Sequence, residues 1–229
     1  DFTKMTISLL EGSPRLLNGM SDYAGRQSLS YLKKLGVEVR LNCLVEDFDG
    51  TTVSLKGGEK MSSKTLLWAA GIKANSVKGF SEDTIGPAGR ILVNEFSQTK
   101  FSDSVYVIGD QALMITAENP KGDPQVAQVA IQQAQNVAKN LNNLRLKKQL
   151  KAFKYFDKGS MATVGRNLAV ADLAVGSLKG HIAWLMWLFV HLMAILGTKN
   201  KVFVFLNWIW SYITYDQSLR LMIKPREKK

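Results

Sequence analysis

The sequence is poor in the side chains that hold metals and clusters. Among 229 residues there is one cysteine, Cys43, and there are two histidines, His181 and His191. A single thiol excludes a disulfide scaffold and a Cys-rich zinc or iron–sulfur module. It also argues against dithiol redox chemistry, which needs a pair, and its place in a strand-like run marks Cys43 as a core residue. No metal site is expected. The Gly-rich fingerprint G-x-G-x-x-G is absent as well, so no phosphate-cradling turn of the dinucleotide-binding kind lies within these residues. There is no signal-peptide pattern, because Asp1 leads directly into a strand-like run. The chain is therefore expected to be the C-terminal part of something longer. Acidic residues become scarce along the chain. Residues 1–145 hold 15 Asp+Glu against 16 Lys+Arg, whereas residues 146–229 hold 4 against 14.

What is present is a core-forming composition, 46% apolar and 21% charged, which excludes a disordered tail. The basic C-terminal part also carries four of the five tryptophans, Trp184, Trp187, Trp208 and Trp210. Tryptophan flanked by Lys and Arg suits an anionic membrane surface. Nucleic acid accepts the charge but gives no reason for the aliphatic runs beside it, so none is expected as a partner. A buried helical core with a solvated Lys-rich surface is the bland alternative.

Periodicity organises the chain as alternating elements. Residues 5–11, MTISLLE, read as a buried strand ending in an acid. Tyr23, Leu29, Leu32 and Leu35 recur at helical spacing before Gly36, a helix-stop signal. VEVRLNCLVEDF (37–48) alternates like one strand. DGTTVSL, the Gly57-Gly58 turn and KTLLWAA (64–70) suggest an antiparallel excursion. A loop over 71–90, a strand at YVIGD (106–110) and a helix from Gln125 to about Leu144 follow. Strands separated by Gly159 and Gly165 are predicted within 153–176, and two apolar segments, 182–196 and 202–213, come last. Strand, helix, strand is the pattern of a Rossmann unit, in which an acid after a strand binds the adenosine ribose hydroxyls. Glu11 is placed for that role, and its charge favours NAD over NADP.

Segment 182–196 has one polar residue, His191, and spans only ~22 Å as a helix, short of a ~30 Å hydrocarbon core. Its lack of a polar face predicts burial on all sides, partly in protein and partly in lipid. In the next segment Asn207, Ser211, Thr214 and Ser218 form one polar stripe, the pattern of a helix lying in the headgroup region. Lys199, Lys201, Arg220, Lys224, Arg226, Lys228 and Lys229 flank it. A two-helix hairpin anchor without full crossing is predicted.

Four segments carry a resemblance. The stretch from Thr99 to Asp110, TKFSDSVYVIGD, resembles the second flavin fingerprint of two-dinucleotide-domain flavoprotein reductases. A strand delivers Gly109, which admits the ribityl chain, and Asp110 offers a carboxylate to a ribityl hydroxyl. WAAGI (68–72) fits the same family, where Ala69, Ala70 and Gly71 let NADH pass close to the backbone. AQVAIQ (127–132) and FKYFDKGSMATVGRNLAV (153–170) are similar to runs of the type II NADH:quinone oxidoreductases.

That resemblance implies an α/β fold: a partial two-dinucleotide-binding-domain, Rossmann-like flavoprotein reductase plus a C-terminal membrane-anchoring helical segment. It implies residues 1–82 as the remainder of the NADH-binding domain, 83–145 as part of the FAD-binding domain, and 146–229 as the anchor. FAD and NAD are the implied cofactors. Glu11, Ala70, Gly71, Gly109, Asp110, Ala127 and Gln128 are the implied cofactor contacts, with Gln128 and Gln132 toward quinone on one helix face. The implied partners are NADH, a membrane quinone and an anionic lipid surface, with a homodimer admissible. The implied location is the cytoplasmic face of a bacterial inner membrane, an organellar inner membrane being the alternative. Gln133 and Gln135 need no role in this reading. No chain of intramembrane carboxylates suggests proton pumping. Two other readings remain open: a flavin reductase with a soluble acceptor, and a membrane-binding remnant without flavin.

Overall fold

The structure, a computed structural model, describes residues 5–75 and 77–215. The predicted contributions of Ser218 and of the basic residues from Arg220 onward lie outside the described residues. The chain divides into two units, Asp1–Ser62 with Gly159–Lys229, and Ser63–Lys158.

In the first unit β1 (Ser8–Leu10) pairs in parallel with β2 (Glu38–Arg40), and α1 (Asp22–Lys34) makes the crossover. Ser21 caps α1 by accepting from the Ala24 amide, Lys33 and Lys34 sit in the last turn, and Gly36 follows at φ +80°. The helix buries Ala24, Ser28 and Tyr31, a spacing of four and three. The run expected to be one strand over 37–48 is two. Asn42 adopts φ +54° and breaks it, while the Asn42 and Cys43 amides donate to the Ser13 and Glu11 carbonyls. The chain beyond the break forms a separate antiparallel sheet of β3 (Val45–Phe48), β4 (Thr52–Leu55) and β5 (Lys60–Ser62). The Gly57-Gly58 turn stands where predicted. KTLLWAA does not: only Lys60–Ser62 pairs, and no strand among the described residues offers 64–70 a ladder.

The second unit holds β6 (Ile91–Val93), β7 (Gln98–Thr99), β8 (Ser102–Tyr106) and β9 (Ala112–Met114), in the order β8-β7-β6-β9 with β6 and β9 parallel. α2 (Ala127–Arg145) follows. Val93, Ala112, Met114 and Phe153 form the core of this unit, flanked by Val107 and Tyr155.

Returning to the first unit, β10 (Ser160–Gly165), β11 (Leu168–Leu173) and β12 (Gly176–Lys179) make an antiparallel meander. Val170 on β11 packs against Ala24 and Tyr31 of α1. Its neighbours Ala169 and Ala171 face the other way, against Ala183 of α3 (Gly180–Ala194). α4 (Thr198–Thr214) closes the described chain. No helix among the described residues is long and apolar enough to cross a membrane. The all-round burial expected of α3 is not supplied by the described residues. Only Ala183 is buried on it, none of α4 is, and Ile182, Phe189, Phe203 and Trp210 are all more than 60% exposed.

Asp172 fastens the meander to α1. Its carboxylate accepts from the Ser21 amide (2.7 Å), the Ser21 hydroxyl (2.8 Å) and the Ser177 hydroxyl (2.6 Å). Burial pushes its pKa up, but the bonds from Ser177 and Ser21 outweigh that and leave it below the usual carboxylate value. A depressed carboxylate contributes stability that is present above its unfolded pKa and is lost as pH falls through the folded one. We therefore expect Asp172→Ala to cost about 2 kcal/mol at neutral pH. The gap to wild type in chemical denaturation should shrink below pH 4. A pH-independent gap would show that packing, not the carboxylate, holds the joint.

Candidate functional site

Two places combine strand ends, glycines and charged or amide side chains. The first is the end of β1. Glu11 follows the last strand residue, and its Oε1 accepts from the Ser13 amide (2.9 Å) and hydroxyl (2.6 Å). The turn is tight at Gly12, where a Cβ would stand 3.2 Å from Leu44 Cδ1. Glu11 is thus a half-buried carboxylate at the carboxyl end of a parallel strand, the edge at which open α/β sheets bind ligands.

The second lies in the other unit, where the chain leaves β8. The strand ends at Tyr106, earlier than predicted, and Val107 and Ile108 continue as extended backbone to a single 3-10 turn, Gly109–Gln111. Gly109 is buried at φ +66°, and a Cβ there would meet the Ala130 Cβ at 3.1 Å. Glycine is required by both conformation and space. The Gly109 amide donates to Gln133 Oε1 at 2.7 Å, and Gln133 is 1% exposed. Gln133 therefore has a role that the sequence reading denied it: it ties the turn to α2. Asp110 is exposed, its carbonyl accepting from Gln125 Nε2 at 3.0 Å. Among the described residues the buried Gln111 Oε1 has no hydrogen-bond partner. Among the described residues no side chain caps the N-terminus of α2, where Ala127 begins the helix, exposed.

Along α2 the amide side chains form a ladder. Gln128 Oε1 accepts from the Lys158 amide at 3.2 Å. Gln132 donates from Nε2 to the Phe156 carbonyl (2.9 Å) and accepts at Oε1 from the Phe156 amide (3.0 Å). Asn136 and Asn140 donate to the Lys151 carbonyl, and Asn140 accepts from the Lys151 amide. A spacing of four puts all of them on one stripe, and the stripe straps segment 151–158 along the helix. The repeat of Gln and Asn at 128, 132, 136 and 140 is visible in the sequence, and its last two members extend the expected pair Gln128 and Gln132. Below the turn, Arg90 is 8% exposed and donates from Nε to the Ala112 carbonyl (2.8 Å) and from Nη2 to the Asp123 carbonyl (2.9 Å). No sequence pattern announced it.

Ala70 and Gly71 are exposed in irregular backbone, with Gly71 at φ +105° and nothing within 4 Å of where its Cβ would be. Among the described residues no hydrogen bond joins them to the Gly109 turn. Among these residues there is also no cluster of His, Cys, Asp or Glu fit for a metal.

Comparison with known proteins places this geometry. Residues 2–134 match the family model for pyridine nucleotide-disulphide oxidoreductases, and residues 158–214 match the NDH2 C-terminal domain. A Mycobacterium tuberculosis protein named type II NADH:quinone oxidoreductase Ndh is 33% identical over 225 residues, covering 93% of this chain and 47% of that protein. A Haemophilus influenzae protein named type II NADH:quinone oxidoreductase is 33% identical over 174 residues, covering 76% of this chain and 39% of its own length. The chain thus spans less than half the length of these relatives. The fold also matches a structure of NDH2 from Plasmodium falciparum in complex with NADH. The TM-score is 0.82 at 20% identity, over 92% of this chain and 59% of that one.

Proposed function

The chain belongs to the pyridine nucleotide-disulphide oxidoreductases, in their type II NADH:quinone oxidoreductase branch, and on that premise we propose that it is the part of such an enzyme that joins flavin to quinone. The overall reaction is passage of electrons from NADH through FAD to a membrane quinone, without proton pumping. Residues 1–82 serve NADH, 83–145 serve FAD, and 146–229 anchor the protein to the cytoplasmic face of a bacterial inner membrane, against anionic lipid, as monomer or homodimer.

The observation that carries this reading is the Gly109–Gln111 turn beside the open end of α2. A flavin dinucleotide fits it. Gly109 lets the turn close against Ala130 of α2, Asp110 presents an exposed carboxylate for a ribityl hydroxyl, and the buried Gln111 oxygen has no donor among the described residues. When bound there, FAD supplies the hydride acceptor and electron relay of the reaction. The residues of this chain position and tune. The positive end of α2, at Ala127 and Gln128, favours negative charge on the pyrimidine edge of the ring. Ala70 and Gly71 give the nicotinamide an open passage. Glu11 accepts from the adenosine ribose hydroxyls and repels a 2′-phosphate. Gln128 and Gln132 face quinone, Gln132 through the amide N–H that Phe156 does not take.

The direct test is the visible spectrum of the protein purified from membranes, followed by stopped-flow mixing with NADH and then quinone. Flavin absorbance that bleaches with NADH and returns with quinone supports the reading. A colourless preparation supports a membrane-binding remnant, and a flavin reoxidised only by a water-soluble acceptor supports the third reading. Within the same assay Glu11→Ala is expected to raise the KM for NADH about tenfold, the value of a charge-assisted hydrogen bond, with flavin content unchanged. Unaltered NADH kinetics would remove Glu11 from the site.

A further inference from the structure

α3 and α4 form an antiparallel hairpin closed by Ile195–Gly197, and a cavity of about 670 Å³ runs between them. Its walls are almost wholly apolar, with Leu185, Leu188, Phe189 and Leu192 on one side and Phe205 and Ile209 on the other. One end is different. Arg166, in the β10–β11 turn, lies over the ring of Tyr212 (4.2 Å to its centroid) and over that of Tyr215 (3.7 Å), and donates to the Tyr212 carbonyl. Tyr212 packs on Trp184 (5.5 Å between ring centroids), which stacks on His181 (5.8 Å). Two aromatic rings and a backbone bond hold the guanidinium in place. Among the described residues no carboxylate forms an ion pair with it.

We propose that this groove is a binding site for one anionic phospholipid, its phosphate at Arg166 and one acyl chain between α3 and α4. This rests on the membrane reading above and goes further, because it assigns a discrete site instead of a general surface attraction. Charge complementarity argues for the occupant. Among the described residues the one Lys, Arg, Asp or Glu lining the groove is Arg166, a fixed cation with N–H groups to spare, and a guanidinium is suited to bidentate phosphate binding. Length agrees: α3 has 15 residues and so is ~22 Å long, enough for a chain that fills one leaflet of a ~30 Å hydrocarbon core. Exposure agrees too, since Phe189, Leu185 and Phe205 are 62%, 49% and 48% exposed on walls that the described residues do not cover. A lipid without a phosphate would leave Arg166 without a counter-ion, a zwitterionic one would bring its own ammonium beside the guanidinium, and an inorganic anion would leave the walls wet.

The test is native mass spectrometry of the protein purified from membranes in mild detergent, beside flotation with vesicles of phosphatidylcholine containing phosphatidylglycerol. One bound anionic phospholipid per chain is the expected result. Occupancy should fall about tenfold or more in Arg166→Gln, the loss of one charge-assisted hydrogen bond, while flotation persists. Leu188→Trp, which fills the groove and keeps the cation, should also remove the lipid. Three results overturn the site and leave the membrane reading standing: flotation with no retained lipid, retention of a neutral lipid or quinone instead, or equal retention in both variants. Failure of the wild-type protein to float at all overturns both.

Discussion

Replacing Arg90 with Met is expected to destabilise the protein by about 3 kcal/mol and to strip it of flavin. Methionine keeps the length and the apolar stem of arginine but removes its donors. The carbonyls of Ala112 and Asp123 then lose the bonds they accept at 2.8 and 2.9 Å, in a place where water does not replace them. The charge matters as well. Burial holds the Arg90 pKa below its ordinary value, with Asp123 and Asp110 pulling the other way. Burial likewise raises the Asp123 carboxyl, against the Asn119 amide and the Arg90 charge. Without Arg90 the Asp123 pKa rises further. An acid whose folded pKa lies above its unfolded one contributes stability at low pH that is lost as pH rises through the folded value. The deficit of the variant in urea denaturation is therefore expected to be largest at neutral pH and to ease toward pH 4. Flavin should follow, because β9 begins at Ala112, directly after the turn that carries Asp110. A variant with the wild-type midpoint, or a deficit that grows on acidification, contradicts this account.

The two units were unequally legible. Where one chain segment makes its own structure, its pattern was enough. α1 follows from its apolar spacing and Gly36; the hairpin follows from Gly57-Gly58; α3 follows from hydropathy to within two residues at each end. Where structure depends on a partner distant in sequence, the pattern misled or was silent. VEVRLNCLVEDF alternates throughout, yet hydrogen bonds from the Asn42 and Cys43 amides back to the Ser13 and Glu11 loop divide it between two sheets. β6, β7 and β9 are only two or three residues long, too short for any periodicity to register. KTLLWAA has strand composition, but composition supplies no ladder. The candidate site divides in the same way. The turn at Gly109 and Asp110 was readable because a Gly-Asp pair after a strand marks a local change of backbone direction. Gln133 and Arg90 were not, because each acts on backbone 20 or more residues away and nothing local distinguishes a buried Gln or Arg from an exposed one.

Gln132 offers the sharpest separation between holding the fold and doing the chemistry. Its amide pairs with both the carbonyl and the amide of Phe156, so a general structural role is a serious competitor to a role toward quinone. The two roles predict different kinetics. If Gln132 also donates to a quinone carbonyl, Gln132→Ala removes an interaction that NADH never meets. Reduction of the flavin by NADH is then expected to stay within about twofold of wild type, while reoxidation by quinone slows roughly tenfold, the value of one hydrogen bond lost in the transition state. Asn140→Ala is the control. Asn140 is fully buried and straps Lys151 through the same ladder, two helical turns further from the flavin turn. It should lower stability by about 2 kcal/mol and affect the two half-reactions alike. A split in Gln132→Ala without one in Asn140→Ala assigns the quinone contact to Gln132. Parallel losses in both half-reactions of both variants would make the entire ladder a strap and move the quinone contact elsewhere. The spare N–H of the Gln132 amide favours the split, since the bonds to Phe156 fix the plane of that amide and thereby the direction in which its remaining hydrogen points.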